Sequence, residues 1–199
     1  MKEICTVLCV TDSMNLKNIN QPVDQTIKNL KDIFRESHES NINSKCYVSV
    51  AFHCPYEGRV DASYVEDVVG ILLDYQVKEI VIADTIGAAN PKEVTSLLSA
   101  LTNTYKEAKF SCHFHDTNAL GLANVYASIE AGINKFDSCI GGLGGCPFAP
   151  NSSGNLATED LVGMLEMMNI NTGIDLDKLL SAREVAANLT GLSLKGRMF

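Results

Sequence analysis

The sequence predicts an α/β fold built on a parallel sheet, and three observations lead there. Short apolar, β-branched runs recur along the chain, and helical periodicity fills the intervals between them. The runs are apolar on both faces, as strands must be when helices cover the outside of the sheet. Doubly wound sheet and barrel both satisfy this rhythm.

In chain order the strands are read at Ile4 to Val10, Tyr47 to Phe52, Glu79 to Ala83, Phe110 to His113 and Lys135 to Ile140, each bounded by Gly, Pro, Asn or Asp. Val65, Val68, Val69, Leu72 and Leu73 share one helical face, as do Val94, Leu97, Leu98 and Leu101, and later Leu161, Met164, Leu165 and Met168. Pro22 and Pro91 stand at first helical positions, Asp61 and Thr158 are N-caps, and Glu159 and Asp160 suit the positive end of a helix. Five βα units follow, then a terminal helix at about 175–190 and a short basic tail from Lys195 to Phe199. Residues 1–199 form one domain, with no internal repeat and no low-complexity linker.

A chain of 199 residues that is 46 % hydrophobic and 20 % charged can build a core, which excludes intrinsic disorder. Its net charge of −8 excludes nucleic acid and anionic membrane surfaces as partners, because phosphate binding needs clustered Lys and Arg. No run is long and apolar enough to span a bilayer, and Glu3 breaks the basic start of a secretory signal. Seven cysteines, none at the two-residue gap of a zinc knuckle or redox dithiol, read as reduced thiols in a reducing compartment. That compartment is the cytoplasm for a bacterial chain, or the mitochondrial matrix for a eukaryotic one whose N-terminus lies elsewhere.

Ligands of parallel α/β folds collect at the C-terminal ends of the strands, so the polar residues there matter most. Asp84-Thr85-Ile86-Gly87 puts a carboxylate at one rim position, where it either serves a site or caps its own turn. On the next strand His113 and His115 lie two apart and point the same way, so both imidazoles can face one ion; the alternative is a pair of rim histidines held by carbonyls. The last strand runs into Gly141-Gly142-Leu143-Gly144-Gly145-Cys146, whose four glycines let a thiol approach a ligand. Cys5, Cys9, Cys46, Cys112 and Cys139 lie in strands and read as buried and inert. Asn155 is either a helix N-cap or an oxygen ligand, and two His with one amide leave a divalent cation short of a carboxylate. His38 and His53 read as solvated or structural.

The run Gly141-Gly142-Leu143-Gly144-Gly145-Cys146-Pro147-Phe148-Ala149 with Gly154-Asn155-Leu156-Ala157-Thr158-Glu159-Asp160 closely resembles the hydroxymethylglutaryl-CoA lyase family, together with Cys54-Pro55-Tyr56-Glu57-Gly58, Asp84 to Gly87 and His113 to Thr117. Isopropylmalate and homocitrate synthases share the His-x-His strand but lack this cysteine loop. The resemblance implies a TIM (β/α)8 barrel, here an incomplete one of about five units matching the fourth to eighth strands, with a cysteine loop at 141–154. It implies Mg²⁺ or Mn²⁺ held by His113, His115 and Asn155. Cys146, Asp84 and His113 match the catalytic groups that cleave 3-hydroxy-3-methylglutaryl-CoA to acetyl-CoA and acetoacetate. It also implies an acyl-CoA substrate and a homodimer.

The family's first strand carries an Arg-Asp pair and its second a Glu, and this sequence supplies neither. A separate N-terminal piece completing the barrel is one explanation; a shortened chain and a degenerate paralogue are the others. The isolated chain is therefore expected to be weak or inactive. A non-catalytic binding or assembly subunit is the alternative from another class, and a lyase for a related 3-hydroxyacyl-CoA is the narrower one.

Overall fold

The computed structural model describes residues 1–145, 147–148, 154–194 and 196–199, so Cys146 of the cysteine loop lies outside the described residues. The chain opens with β1 (Glu3–Cys9), α1 (Asp12–Ile19), α2 (Val23–Glu39) and β2 (Asn43–Ser49). A small hairpin, β3 (His53–Cys54) and β4 (Gly58–Arg59), precedes α3 (Ala62–Asp74), β5 (Glu79–Asp84) and α4 (Pro91–Thr104). There follow β6 (Phe110–Phe114), α5 (Gly121–Glu130), β7 (Phe136–Asp137), α6 (Thr158–Met167) and α7 (Leu176–Thr190). Strands β1, β2, β5, β6 and β7 form one parallel sheet in that order, so each βα unit adds a neighbour. This is the barrel-type order; a doubly wound sheet reverses direction from its first strand.

The five strands are those read from the sequence, with shifted ends. The second begins at Asn43, because Asn43, Ser44 and Lys45 pair with Glu3, Ile4 and Cys5 of β1, and the last keeps only Phe136 and Asp137. Alternation along each strand sorts the sheet into two faces. Leu8, Cys46, Val48, Ile80, Ile82, Cys112 and Phe114 pack under the helices with Val65, Leu72, Leu98 and Val125. Lys45, Tyr47, Glu79, Ser111, His113 and Asp137 stand on the opposite, concave face.

Several local expectations hold. Asp61 caps α3 through Ser63 N–H, Pro91 opens α4, and Asn90 with Glu93 completes a capping box there. Others are corrected. Pro22 is the N-cap of α2 and Val23 its first residue, while Thr158 is the first residue of α6 and Ala157 its cap. Cys5 is exposed and Cys139 half-buried, since both sit on stretches that the helices do not cover. Of the two readings of His53 the structural one fits: its Nε2 lies 3.2 Å from Glu93. Glu159 and Asp160 are buried rather than merely facing a helix dipole. Glu159 accepts from Gly141 N–H and Arg183, and Asp160 from the Arg197 and Met198 amides, which ties the C-terminal tail to the start of α6.

α1 has no strong apolar face, and Asn15 shows what holds it. Fully buried, it accepts from Cys9 N–H at 3.1 Å and donates to Gln21 C=O at 2.8 Å and Thr26 Oγ1 at 2.7 Å. One side chain thereby joins the end of β1 to the turn between two helices. Replacing it by Leu strands these groups without partners, at roughly 1–3 kcal/mol for each group left unpaired. Asn15→Leu should lower the unfolding free energy in urea by roughly 2–4 kcal/mol; a loss under about 0.5 kcal/mol would remove Asn15 from this role.

Candidate metal centre

The parallel register fixes the site before any side chain is considered. On β6, His113 pairs with Ala83 and Asp137, so its side chain joins theirs on the concave face. His115, two residues on, keeps to that face, and the two imidazole centroids lie 5.3 Å apart. Residues 154–158 then return to the sheet between the ends of β6 and β7. Asp116 N–H donates to Gly154 C=O, Leu156 N–H to Phe114 C=O, and Thr158 N–H to Cys139 C=O. This pairs His115 with Asn155 as antiparallel bridge partners, whose side chains emerge on the same face.

Asn155 is therefore not a helix cap. Its Nδ2 donates to Leu143 C=O at 2.7 Å, which fixes the amide flip, and its Oδ1 is buried without a hydrogen-bond partner. The glycines around it are required. Gly154 has φ of +108°, and a Cβ there would meet Gly142 O at 2.6 Å; Gly144, at φ of +96°, would press a Cβ against Asn155 Nδ2 at 2.9 Å. Gly142, Gly144 and Gly154 close around Asn155 because they have no side chains in the way.

The donor set suits a hard cation only in part. A buried amide oxygen beside the backbone partner His115 is a donor that an oxygen-preferring cation takes, whereas a polar atom with no such partner is costly to bury. Among the described residues no three His, Cys, Asp or Glu side chains cluster to hold a metal. The three residues fit a divalent ion that receives its negative ligands from elsewhere. Burial and then the neighbouring His113 push the His115 ring down to about 4, so its lone pair is free of a proton at neutral pH.

Asp84 does not join this group. Its register partner is Phe114, which puts the carboxylate on the helix-facing side, where its oxygens accept from Ala88 and Ala89 N–H at 3.0 Å each. It is the turn cap rather than a wall of the metal site. Thr85 occupies the inner side instead and accepts from Val50 N–H at 2.8 Å.

The sequence reading missed a polar network below the histidines. Asp137 lies 3.3 Å from Lys45 Nζ, 2.5 Å from the Tyr47 hydroxyl and 3.8 Å from His113 Nδ1, and Lys45 also pairs with Glu79 at 3.3 Å. Burial works against the Asp137 anion, but His113, Tyr47 and Lys45 outweigh it and hold the carboxyl far below its usual range. Burial, then Asp137, push the Tyr47 hydroxyl up to about 12. The available signal was period two: Lys45 and Tyr47 alternate with Cys46 and Val48 along β2. At the rim, Arg197 from the tail donates to Asp116 at 3.0 Å and borders a cleft with Gly142, Asn155 and Asp160. A larger cleft lies at the opposite ends of the strands, beside Lys78, Tyr105 and Lys109, away from where parallel sheets bind ligands.

Among known families, the HMGL-like family matches residues 1–186. The chain belongs to the HMGL-like family. Among relatives, hydroxymethylglutaryl-CoA lyase YngG of Bacillus subtilis is 40 % identical over 197 residues, covering 99 % of this chain and 66 % of that one. The human mitochondrial hydroxymethylglutaryl-CoA lyase is 38 % identical, covering 91 % of this chain and 56 % of that one. Among solved structures, an HMG-CoA lyase of Acinetobacter baumannii in complex with coenzyme A and 3-methylmalate superimposes with a TM-score of 0.94 at 36 % identity, covering 99 % of this chain and 64 % of that one. The chain thus spans less than two thirds of the length of these three HMGL-like relatives. The fold is the TIM-barrel type of that family, with a parallel sheet and outer helices.

Asp84 supplies a pH test of this arrangement. Burial pushes its carboxyl up to about 6 from 3.8, against the pull of the Ala89 and Ala88 amides. A folded-state value above the unfolded one favours the protonated native form. This stabilisation is complete below about pH 4 and lost as pH rises through about 6. Urea stability should fall by roughly 1–3 kcal/mol across that window, and by clearly less in Asp84→Asn. Equal falls in both proteins would deny Asp84 this environment.

Proposed function

We propose that the protein is a metal-assisted carbon–carbon lyase that cleaves 3-hydroxy-3-methylglutaryl-CoA to acetyl-CoA and acetoacetate. The observation that carries this reading is the pairing of His115 with Asn155 beside His113, at the C-terminal ends of a parallel sheet. The coenzyme A and 3-methylmalate of the Acinetobacter structure support an acyl-CoA substrate of this size and charge. These relatives are lyases by name, which lends the non-catalytic subunit reading no support. Five βα units against relatives half as long again support a place for this chain within an eight-unit barrel, as its fourth to eighth strands.

His113, His115 and Asn155 are the proposed ligands of Mg²⁺ or Mn²⁺. The bound ion would polarise the substrate's hydroxyl oxygen and neutralise its charge. The chain's own residues would do the rest. The Asn155 amide is held by Leu143 so that its oxygen stays in place, and His113, as a ligand beside the reacting centre, would orient the tertiary hydroxyl, whose proton passes to a base outside the ligand set. Breaking the C2–C3 bond leaves acetoacetate and the enolate of acetyl-CoA, and the enolate must gain a proton. The Cys146 thiol, which follows Gly144 and Gly145 in the sequence, is the proposed acid. Asp84 contributes by bracing the loop after β5 from behind.

These roles separate in a variant series on the protein at its natural full length. His115→Ala should weaken Mn²⁺ binding, read by electron paramagnetic resonance, by about tenfold to a hundredfold or more, since even outer-shell losses reach that size. Cys146→Ser should lower acetoacetate formation while leaving Mn²⁺ affinity unchanged. Metal binding untouched by His115→Ala would end the ligand assignment. Parallel loss of metal and turnover in Cys146→Ser would make the thiol a ligand rather than an acid.

A further inference from the structure

We propose that Asp137 is a positioning residue that keeps the proton of His113 on Nδ1 and so leaves the Nε2 lone pair for the metal. The inference rests on the reading of His113 as a ligand and adds a residue on a different strand. β7 sets Asp137 directly beside His113 in the parallel ladder, with both side chains on the concave face. The carboxylate cannot swing away, because each oxygen is separately held. Lys45 Nζ sits 3.3 Å from Oδ1, and the Tyr47 hydroxyl donates to Oδ2 at 2.5 Å.

Both holders are themselves fixed. Lys45 is nearly buried and shared with Glu79 at 3.3 Å, while the Tyr47 ring stands edge-on to the His113 ring, 6.0 Å between centroids. What remains of Oδ2 faces His113 Nδ1 at 3.8 Å. That nitrogen is buried and makes no hydrogen bond. At this range the contact is electrostatic, and it discriminates between tautomers: a fixed negative charge favours the ring form whose N–H points at it. With Nδ1 protonated, Nε2 is left as the electron-pair donor, and the neighbouring carboxylate makes it a stronger one. The network reads as a built device because its four charged groups balance one another: Lys45 pairs with Asp137 and Glu79, and Lys135 also pairs with Glu79 at 2.6 Å.

The test reads the ring directly. Nitrogen-15 resonances of the histidine rings, recorded in the metal-free protein near neutral pH, report which nitrogen carries the proton. His113 should be Nδ1-protonated in the natural protein. Asp137→Ala should abolish that preference and weaken Mn²⁺ binding by about tenfold to a hundredfold. Asp137→Asn, which restores an acceptor oxygen without charge, should recover part of both, and Lys45 remains paired with Glu79 in either variant. An Nε2-protonated His113 in the natural protein overturns the proposal whether or not the variants fold. So does an Asp137→Ala protein whose His113 tautomer and Mn²⁺ affinity are unchanged. An Asp137-dependent tautomer in a protein that does not bind Mn²⁺ would instead support the positioning role and defeat the metal reading.

Discussion

Strand alternation at the end of β6 is the constraint on which the rest depends. Because residues two apart share a face, seating Phe114 in the core forces His113 and His115 to the concave side together, and no other register satisfies both. Everything else at the rim answers to that placement. The 154–158 segment takes its bonds from Phe114, Asp116 and Cys139, so Asn155 meets His115 as a consequence of backbone pairing. The glycines are the steric condition for that pairing: side chains at 142, 144 or 154 would collide with the backbone or amide of the segment they surround.

Beneath the rim the concave face is lined with charge, which sets it apart from a sheet face that merely awaits a helix. Buried charges persist when they are paired, and Lys45, Glu79 and Asp137 are paired across three strands, with the more exposed Lys135 also on Glu79. The outer face is given over mainly to apolar packing, with Asp84 turned to the amides of its own turn. One sheet thus presents two unlike faces, apolar packing toward the helices and paired charge on the other.

Much of this was legible in the sequence because it depends on local periodicity. The five strands, the capped starts of α3 and α4 and the common direction of His113 and His115 follow from period two, period 3.6 and cap chemistry. The rest depended on contacts distant along the chain. Asn155 looks like a cap by position and becomes a bridge partner only when residues 154–158 fold back on β6. Asp84 looks like a rim carboxylate, yet strand parity turns it toward Ala88 and Ala89. Lys45 and Asp137 are 92 residues apart, so no window of sequence joins them. α1 was missed because its stability comes from Asn15 and its hydrogen bonds rather than from an amphipathic stripe.

The central claim is that His113, His115 and Asn155 share one cation. Adding Mn²⁺ to the isotope-labelled protein and following paramagnetic broadening of side-chain resonances tests it most directly. The account predicts that the His113 and His115 rings and the Asn155 amide broaden first and together, while His38 on α2 and His53 beside Glu93 stay sharp. Early broadening of His53, or of the four histidines alike, with Asn155 unaffected, would contradict it.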